Sequence, residues 1–334
     1  MKLNVLYTFD NLYAPYAGIS IHSLLCACTD ISEIHIYCIG IHVSPENYQK
    51  IQAEIDQAGV GRYLHIVDGM PIVNKLKSLA IPTYRNSYAA NLRLFFEDVV
   101  EPDYQTVLYL DCDTLVTRSL RELLSLDFGD APVAVVRESL CGDYYKALSF
   151  DECHRYFNSG VILFTSEWKR GQYTKKLLTM IQEAPIFTMN PDQDYLNVLL
   201  KDSLFLLPPK YNFQPIHLAY KDRYYFQYYP KNYYTQEELE ESRENTVILH
   251  TYRFCGQFPW HKHSVHPSSD LWLQNKNNST FADLAPVTNH GIIFALERIL
   301  YRLLPRKCFL RFFTFFHTQY SHWQLKKAKK ENRT

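Results

Sequence analysis

An α/β fold, built on a mostly parallel sheet covered by helices on both faces, is what three features of this 334-residue chain predict. Short β-favouring apolar runs alternate with segments that start like helices. The run VLYL (107–110) ends in two aspartates, Asp111 and Asp113, as a strand that delivers charge to a sheet edge would. A hydrophobic content of 47% over this length is enough for a large core, in one α/β domain with an appendage or in two domains.

The elements follow in order. LNVLYTF (3–9) reads as the first strand, and Pro15 suits the first turn of a helix that runs to about Cys28. EIHIYCI (33–39) is the next strand. Ser44, Pro45 and Glu46 open a helix over 45–58, which leads to RYLHIV (62–67). A helix over 88–97 precedes VLYLD. Beyond Asp113 the pattern is mixed: strands at 132–137 and 160–164, then helices at 170–183 and 192–201. The tyrosine-dense stretch 221–234 reads as a surface loop, and the Pro/His/Ser/Asn-rich run from His261 to about Thr280 as a connection. In open sheets of this kind ligands bind beyond the carboxyl ends of the strands, which is where Asp10, Asp111 and Asp113 fall.

Lys+Arg and Asp+Glu both number 35, a balance that points to no nucleic-acid partner. The balance conceals an asymmetry, because residues 281–334 carry ten Lys/Arg against three Asp/Glu, a local charge of +7 that leaves −7 on the rest. Eight cysteines without CxxC pairing suggest a reduced, cytosolic protein. MKLNVLYTFD passes straight into a strand pattern, and no apolar run reaches the roughly 18 residues of a spanning helix, so the expectation is a cytoplasmic protein, soluble or peripheral on a membrane. The overlapping acceptor patterns at Asn277 and Asn278 read as chance.

Residues two apart in an extended chain project to one face, so Asp111 and Asp113 can aim both carboxylates at one point. That suits a hard divalent cation completed by water and phosphate oxygens; a strand running out into a turn is the plainer alternative. An aspartyl-phosphate phosphatase motif is set aside, because Thr114 follows Asp113 directly and the strand lies far from the N-terminus. Two further groups stand downstream: Asn158 and Ser159 in YFNSGVILF, and Asp192, Gln193 and Asp194 in NPDQDYLN. A turn and a helix cap are the ordinary readings of those two.

Taken together with YTFDNLY, NLRLFF, LPPKYNF and HTYRFCGQFPW, these motifs occur over about residues 3–260 in the order seen in retaining glycosyltransferases of family 8, which the chain resembles. That family includes bacterial lipopolysaccharide galactosyl- and glucosyltransferases and glycogenin. The resemblance implies a GT-A fold, a UDP-hexose donor, and Mn²⁺ or Mg²⁺ held by Asp111, Asp113 and His250, with Mn²⁺ first because histidine suits it better. It implies donor contacts from Thr8, Asp10, Tyr13, Arg93, Asp111, Asn158 and Gly256, and places Gln193 and Asp192 at the reaction face. Gln193 is a poor nucleophile, which favours same-face attack over a covalent intermediate. The chain departs from the family's HxxGxxKPW segment: Phe258 stands before Pro259 and Trp260, so the lysine that contacts diphosphate is missing. Arg253, Lys262, His261 or the backbone around Gly256 are the available replacements.

Three regions are expected: a GT-A domain at 1–262, a connection at 263–284 and a basic-aromatic helical tail at 285–334. The tail either binds an anionic membrane surface or packs on the catalytic domain. The implied activity is transfer of galactose or glucose to an envelope glycan or lipid-linked saccharide, as in lipopolysaccharide or capsular polysaccharide synthesis. A nucleotide-sugar-binding protein without transfer activity and a self-glucosylating enzyme are the alternatives.

Overall fold

The computed structural model describes residues 1–139, 148, 150, 156–183, 190–220, 234–288, 291–313, 315, 316, 319 and 323. Nine strands are found among them: β1 (Lys2–Asp10), β2 (Glu33–Ile41), β3 (Arg62–Asp68), β4 (Thr106–Leu110), β5 (Thr114–Val116), β6 (Val133–Arg137), β7 (Phe157–Thr165), β8 (Phe205–Leu206) and β9 (Ile248–His250). Seven form one sheet in the order β3-β2-β1-β4-β7-β6-β8, and β5 pairs with β9 in a separate ribbon. The neighbours β3/β2, β2/β1, β1/β4 and β6/β8 are parallel, whereas β7 runs antiparallel to β4 and β6. The sheet is therefore mostly parallel, with one reversed strand, β7, between β4 and β6.

β1 and β2 are buried over seven consecutive residues each, which is why they read as continuous apolar runs without alternation. Along β4, Val107 and Tyr109 enter the core on one face of the sheet, and Leu108 and Leu110 enter the core on the other. Helices α1 (Ala14–Ala27) and α2 (Pro45–Gln57) start as expected, the latter with Ser44 accepting from the Asn47 N–H and Pro45 in the first turn.

Four segments differ from the sequence expectation. Residues Ala89–Asp98 form 3₁₀ turns with a break at Phe95, and Asn91 to Phe96 are all buried. The expected helix at 170–183 is two helices, Ser166–Arg170 and Tyr173–Glu183, separated at Gln172 with φ 53°. Asn158, Ser159 and Gly160 lie inside β7 and make no turn. The stretch 263–284 contains a helix, Ser269–Asn278, whose buried Trp272 lies 5.5 Å from Trp260 and 6.3 Å from Tyr16. Phe281 then closes on α1, where a β-carbon at Gly18 would fall 2.0 Å from its ring. Of the tyrosine-dense stretch, 221–233 lies outside the described residues, and Tyr234 is buried with its hydroxyl accepting from the Arg137 N–H.

The C-terminal segment opens with the helix Ile292–Leu303, followed past Pro305 by helical residues 306–313. Tyr301, Phe309 and Leu310 are buried in the main core, so this part packs on the domain. Ile292, Leu296, Ile299 and Leu303 remain more than half exposed. Among the described residues no helix is long and apolar enough to cross a membrane.

Candidate active site

β4 ends at Leu110, and the chain turns through Asp111 and Asp113 into β5. β5 then pairs with β9 so that Thr114 stands opposite His250. The pairing is locked by Thr251, whose backbone N–H and hydroxyl both donate to the Asp113 carbonyl at 2.7 and 2.8 Å. Sequence-distant residues thus converge: ligand atoms of Asp111, Asp113 and His250 lie within 4.8 Å of one another.

The donor set suits a divalent cation. His250 Nε2 is 3.3 Å from Asp113 Oδ1 and 3.7 Å from Asp111 Oδ2. On the other side of the ring, Nδ1 is 3.0 Å from Asn212 Oδ1, a contact that needs the proton on Nδ1 and leaves the Nε2 lone pair aimed at the two carboxylates. Lone pairs so disposed repel unless a proton or a cation lies between them. Burial lowers the His250 pKa, yet Asp113 and Asp111 more than reverse this, and His250 in turn holds Asp113 below its ordinary value against the effect of burial. Asp111 Oδ1 is already satisfied by Arg93 at 2.8 Å and by the Tyr109 hydroxyl at 2.6 Å, so Oδ2 is its free arm.

Gly160 makes this crowding feasible. A β-carbon there would lie 2.1 Å from His250 Cε1 and 2.7 Å from Asp111 Oδ2. The need is for close approach, not for a turn.

Arg93 is buried and ties the site together. Its guanidinium contacts Asp111, the Ser159 carbonyl (2.5 Å) and Asp192 Oδ2 (3.4 Å), and lies 3.9 Å from the centre of the Tyr109 ring. Burial opposes its charge, but Asp111 and Asp192 together raise its pKa above the ordinary arginine value. The same burial raises the Asp192 pKa, with Arg93 acting against the rise.

Asp192 and Gln193 sit in the first turn of the helix Pro191–Leu199, and both reach toward β7. Asp192 accepts from the Ser159 hydroxyl at 2.9 Å. Gln193 Oε1 accepts from the Ser159 N–H at 2.9 Å, and its amide donates to the Tyr156 hydroxyl, also at 2.9 Å. Asp194 serves the helix start instead, accepting from the Asn190 N–H and from Tyr156.

Asn158 Oδ1 accepts from Asn212 and from the Gly160 N–H, while its amide donates to Glu138. A continuous relay Glu138–Asn158–Asn212–His250 results. Thr8 Oγ1 is 3.3 Å from the Tyr109 hydroxyl. Asp10 caps the end of β1 by accepting from the Leu12 and Tyr13 N–H groups, and also accepts from Ser87 at 2.8 Å.

One cavity of about 1680 Å³ takes in every sequence-predicted site residue: Thr8, Asp10, Tyr13, Arg93, Asp111, Asp113, Asn158, Asp192, Gln193, His250 and Gly256. Of the side chains considered as replacements for the missing lysine, Arg253 lines it, whereas Lys262 and His261 do not. Sequence reasoning passed over Asn212, Tyr156, Glu138 and Arg85, and named Ser159 without giving it a role. Asn212 had a signal in LPPKYNF, which matched the family's order without a role being attached.

Comparison with known proteins identifies a family and a fold. The description "Glycosyl transferase family 8" matches residues 4–264. The lipopolysaccharide 1,2-glucosyltransferase of Escherichia coli (strain K12) is 30% identical over 90% of this chain and 86% of its own length. The lipopolysaccharide 1,3-galactosyltransferase of Salmonella typhimurium is 26% identical over 89% of this chain and 86% of its own. Among solved structures, the galactosyltransferase LgtC in complex with donor and acceptor sugar analogs superposes with a TM-score of 0.64 at 21% identity, covering 84% of this chain and 96% of that one. The shared fold is the GT-A arrangement of a mostly parallel sheet with flanking helices.

Proposed function

For a chain that belongs to glycosyl transferase family 8 and is a hexosyltransferase, we propose that the reaction is metal-dependent, retaining transfer of glucose or galactose from a UDP-sugar to a lipopolysaccharide-like or other envelope glycan. The observation that carries this reading is the convergence of Asp111, Asp113 and His250 at the carboxyl end of the sheet, inside the cavity that also holds Arg93, Asp192 and Gln193. The named activities of the E. coli and Salmonella relatives support the acceptor class.

Asp111, Asp113 and His250 would hold Mn²⁺ or Mg²⁺, the nitrogen ligand favouring Mn²⁺; such an ion offsets the charge of a diphosphate leaving group, an effect of several kcal/mol. Arg93 fixes Asp111 and opposes the rise that burial imposes on the Asp192 pKa. Asp192, a carboxylate in a dry setting, is suited to stabilise positive charge that develops on the sugar ring. Gln193 is suited to position the sugar. Its oxygen is already engaged by the Ser159 N–H and a carboxamide is a poor nucleophile, so same-face substitution is the reading we favour. In that step the bond from the anomeric carbon to UDP breaks, a bond to the acceptor oxygen forms, and the acceptor's proton passes to the departing phosphate oxygen.

The C-terminal segment supports contact with an anionic membrane surface. Leu303 and Phe315 are exposed away from the cavity, Ile292, Leu296 and Ile299 are exposed where the helix lines it, and Arg302, Arg306, Lys307 and Arg311 follow nearby. Lys326, Lys327, Lys329 and Lys330 lie outside the described residues. A lipid-linked saccharide acceptor would then be met at the surface where it resides.

The deciding experiment is UDP release from UDP-glucose and UDP-galactose with Mn²⁺, Mg²⁺ or EDTA, for the full chain and for Asp113→Asn. Metal-dependent release from one donor, abolished by the substitution, is expected. Turnover undiminished in EDTA overturns the metal assignment, and no release from either donor overturns the donor.

A further inference from the structure

Two tight turns with left-handed backbone line the same cavity. In Tyr84–Ser87 the outer residues exchange both N–H···O bonds at 3.0 Å, with Arg85 at φ 49° and Asn86 at φ 63°. In Phe254–Gln257 the outer residues exchange both bonds at 2.8 and 2.9 Å, with Cys255 at φ 47° and Gly256 at φ 68°. Positive φ at both central positions marks the type I′ turn, which Asn and Gly fill readily. Arginine is a poor occupant, because its β-carbon crowds the following carbonyl in left-handed backbone. Strain of this kind is kept where surrounding structure imposes it, and it clusters at functional sites.

Each turn brings a guanidinium to the cavity. Arg85 lines it with its group 5.0 Å from the Tyr84 ring, and Arg253, just before the second turn, lines it between Phe258 at 5.4 Å and Phe294 at 5.3 Å. Phe258 occupies the position of the absent lysine, so the aromatic residue found there carries a cation from elsewhere in the chain. The groups are close enough that Arg85 acts on Arg253 and also on Asp113. Glu297 on the C-terminal helix also acts on Arg253, yet neither arginine forms a carboxylate ion pair among the described residues. Two like charges held on aromatic faces in one cavity repel each other until an anion enters. Planar guanidinium groups match the oxygens of phosphates in pairs.

We propose that Arg85 and Arg253 form a clamp for the diphosphate of the donor, beside Asp113. The proposal rests on the nucleotide-sugar reading above and adds the groups that hold the leaving group.

Calorimetric titration of the full chain with UDP, UMP and uridine in Mn²⁺ tests it, using wild type, Arg253→Gln, Arg253→Lys, Arg85→Gln and the double glutamine variant. Each single glutamine substitution should weaken UDP binding on the order of tenfold, in line with the loss of a hydrogen bond to a charged group. Uridine binding should stay the same, Arg253→Lys should retain part of the UDP affinity, and the double variant should show a shallower salt dependence. UDP affinity that survives both substitutions overturns the clamp and leaves the donor reading intact. An equal loss of uridine binding overturns it in favour of a structural role for the turns. Wild-type protein that binds neither UDP nor UMP removes the donor reading and the clamp with it.

Discussion

The Nδ1 atom of His250 lies 3.0 Å from Oδ1 of Asn212, and Asn212 in turn donates to Asn158. The contact sets which ring nitrogen bears the proton, and so which one faces Asp111 and Asp113. Removing partners of this type weakens metal sites by about 10–100-fold. Asn212→Ala should therefore lower Mn²⁺ affinity by that factor, while Asn212→Asp, which keeps the acceptor, should lose less. Titration followed by the electron spin resonance of free Mn²⁺ reads the difference, and equal affinity in all three proteins would show that His250 needs no orienting partner.

Gly160→Ala places a methyl group where the structure has 2.1 Å to His250 Cε1. Either the imidazole leaves the carboxylates or β7 shifts. Metal-dependent UDP release should fall sharply, with a stability loss of about 1–3 kcal/mol, the usual range for overpacking. Activity at the wild-type level would mean that His250 is not needed in its observed position.

Gln193→Ala should lower kcat with little change in donor affinity, as for an interaction made chiefly in the transition state. The substitution also strands the buried Ser159 N–H, at about 1–3 kcal/mol for an unmet buried group, while the Tyr156 hydroxyl keeps its bond to Asp194. Stability must be measured alongside. A sugar adduct trapped on Gln193 or Asp192 would replace same-face attack with a covalent route.

Two buried histidines make stability acid-sensitive. His266 accepts from the Ser268 N–H through Nδ1 and donates from Nε2 to the Tyr252 carbonyl, an arrangement only the neutral ring satisfies, and burial depresses its pKa to about 4. Burial, with Arg243 adding to it, depresses His217 to about 3. Between pH 6.5 and these values the unfolded chain binds protons that the folded chain refuses, so stability is lost as pH falls. Each histidine should cost about 1.6 kcal/mol on going from pH 6.5 to 5. Urea midpoints at the two pH values measure the loss, and His266→Gln should flatten the dependence.

The C-terminal helix packs on the fold. A β-carbon at Gly256 would fall 1.9 Å from the Phe294 ring, and Tyr301 and Phe309 are buried, so deleting residues 285–334 should lower the melting temperature. Leu303 and Phe315 are exposed and stand clear of the cavity lining. Leu303→Asn with Phe315→Asn should weaken binding to anionic liposomes and leave the melt unchanged. Wild-type protein that ignores such liposomes would confine this helix to a packing role.

The sequence by itself determined the strands whose two faces are both buried, because continuous apolar runs such as LNVLYTF and EIHIYCI have no other use in an α/β core. It also determined the pairing of Asp111 with Asp113, which depends only on the two-residue period of extended chain. What it left undecided depends on contacts across the chain. The Asn-Ser-Gly group reads locally as a turn, but β7 must pass beside His250, and only a residue without a side chain fits there. His250 reaches the aspartates through the β5–β9 ribbon, whose register no local pattern reveals. The segment 263–284 looks like a polar connection because its buried anchors, Trp272 and Phe281, are single residues without a period. Arg85 and Arg253 stand far apart in sequence, and their meeting in one cavity is a property of two turns that only the tertiary structure brings face to face.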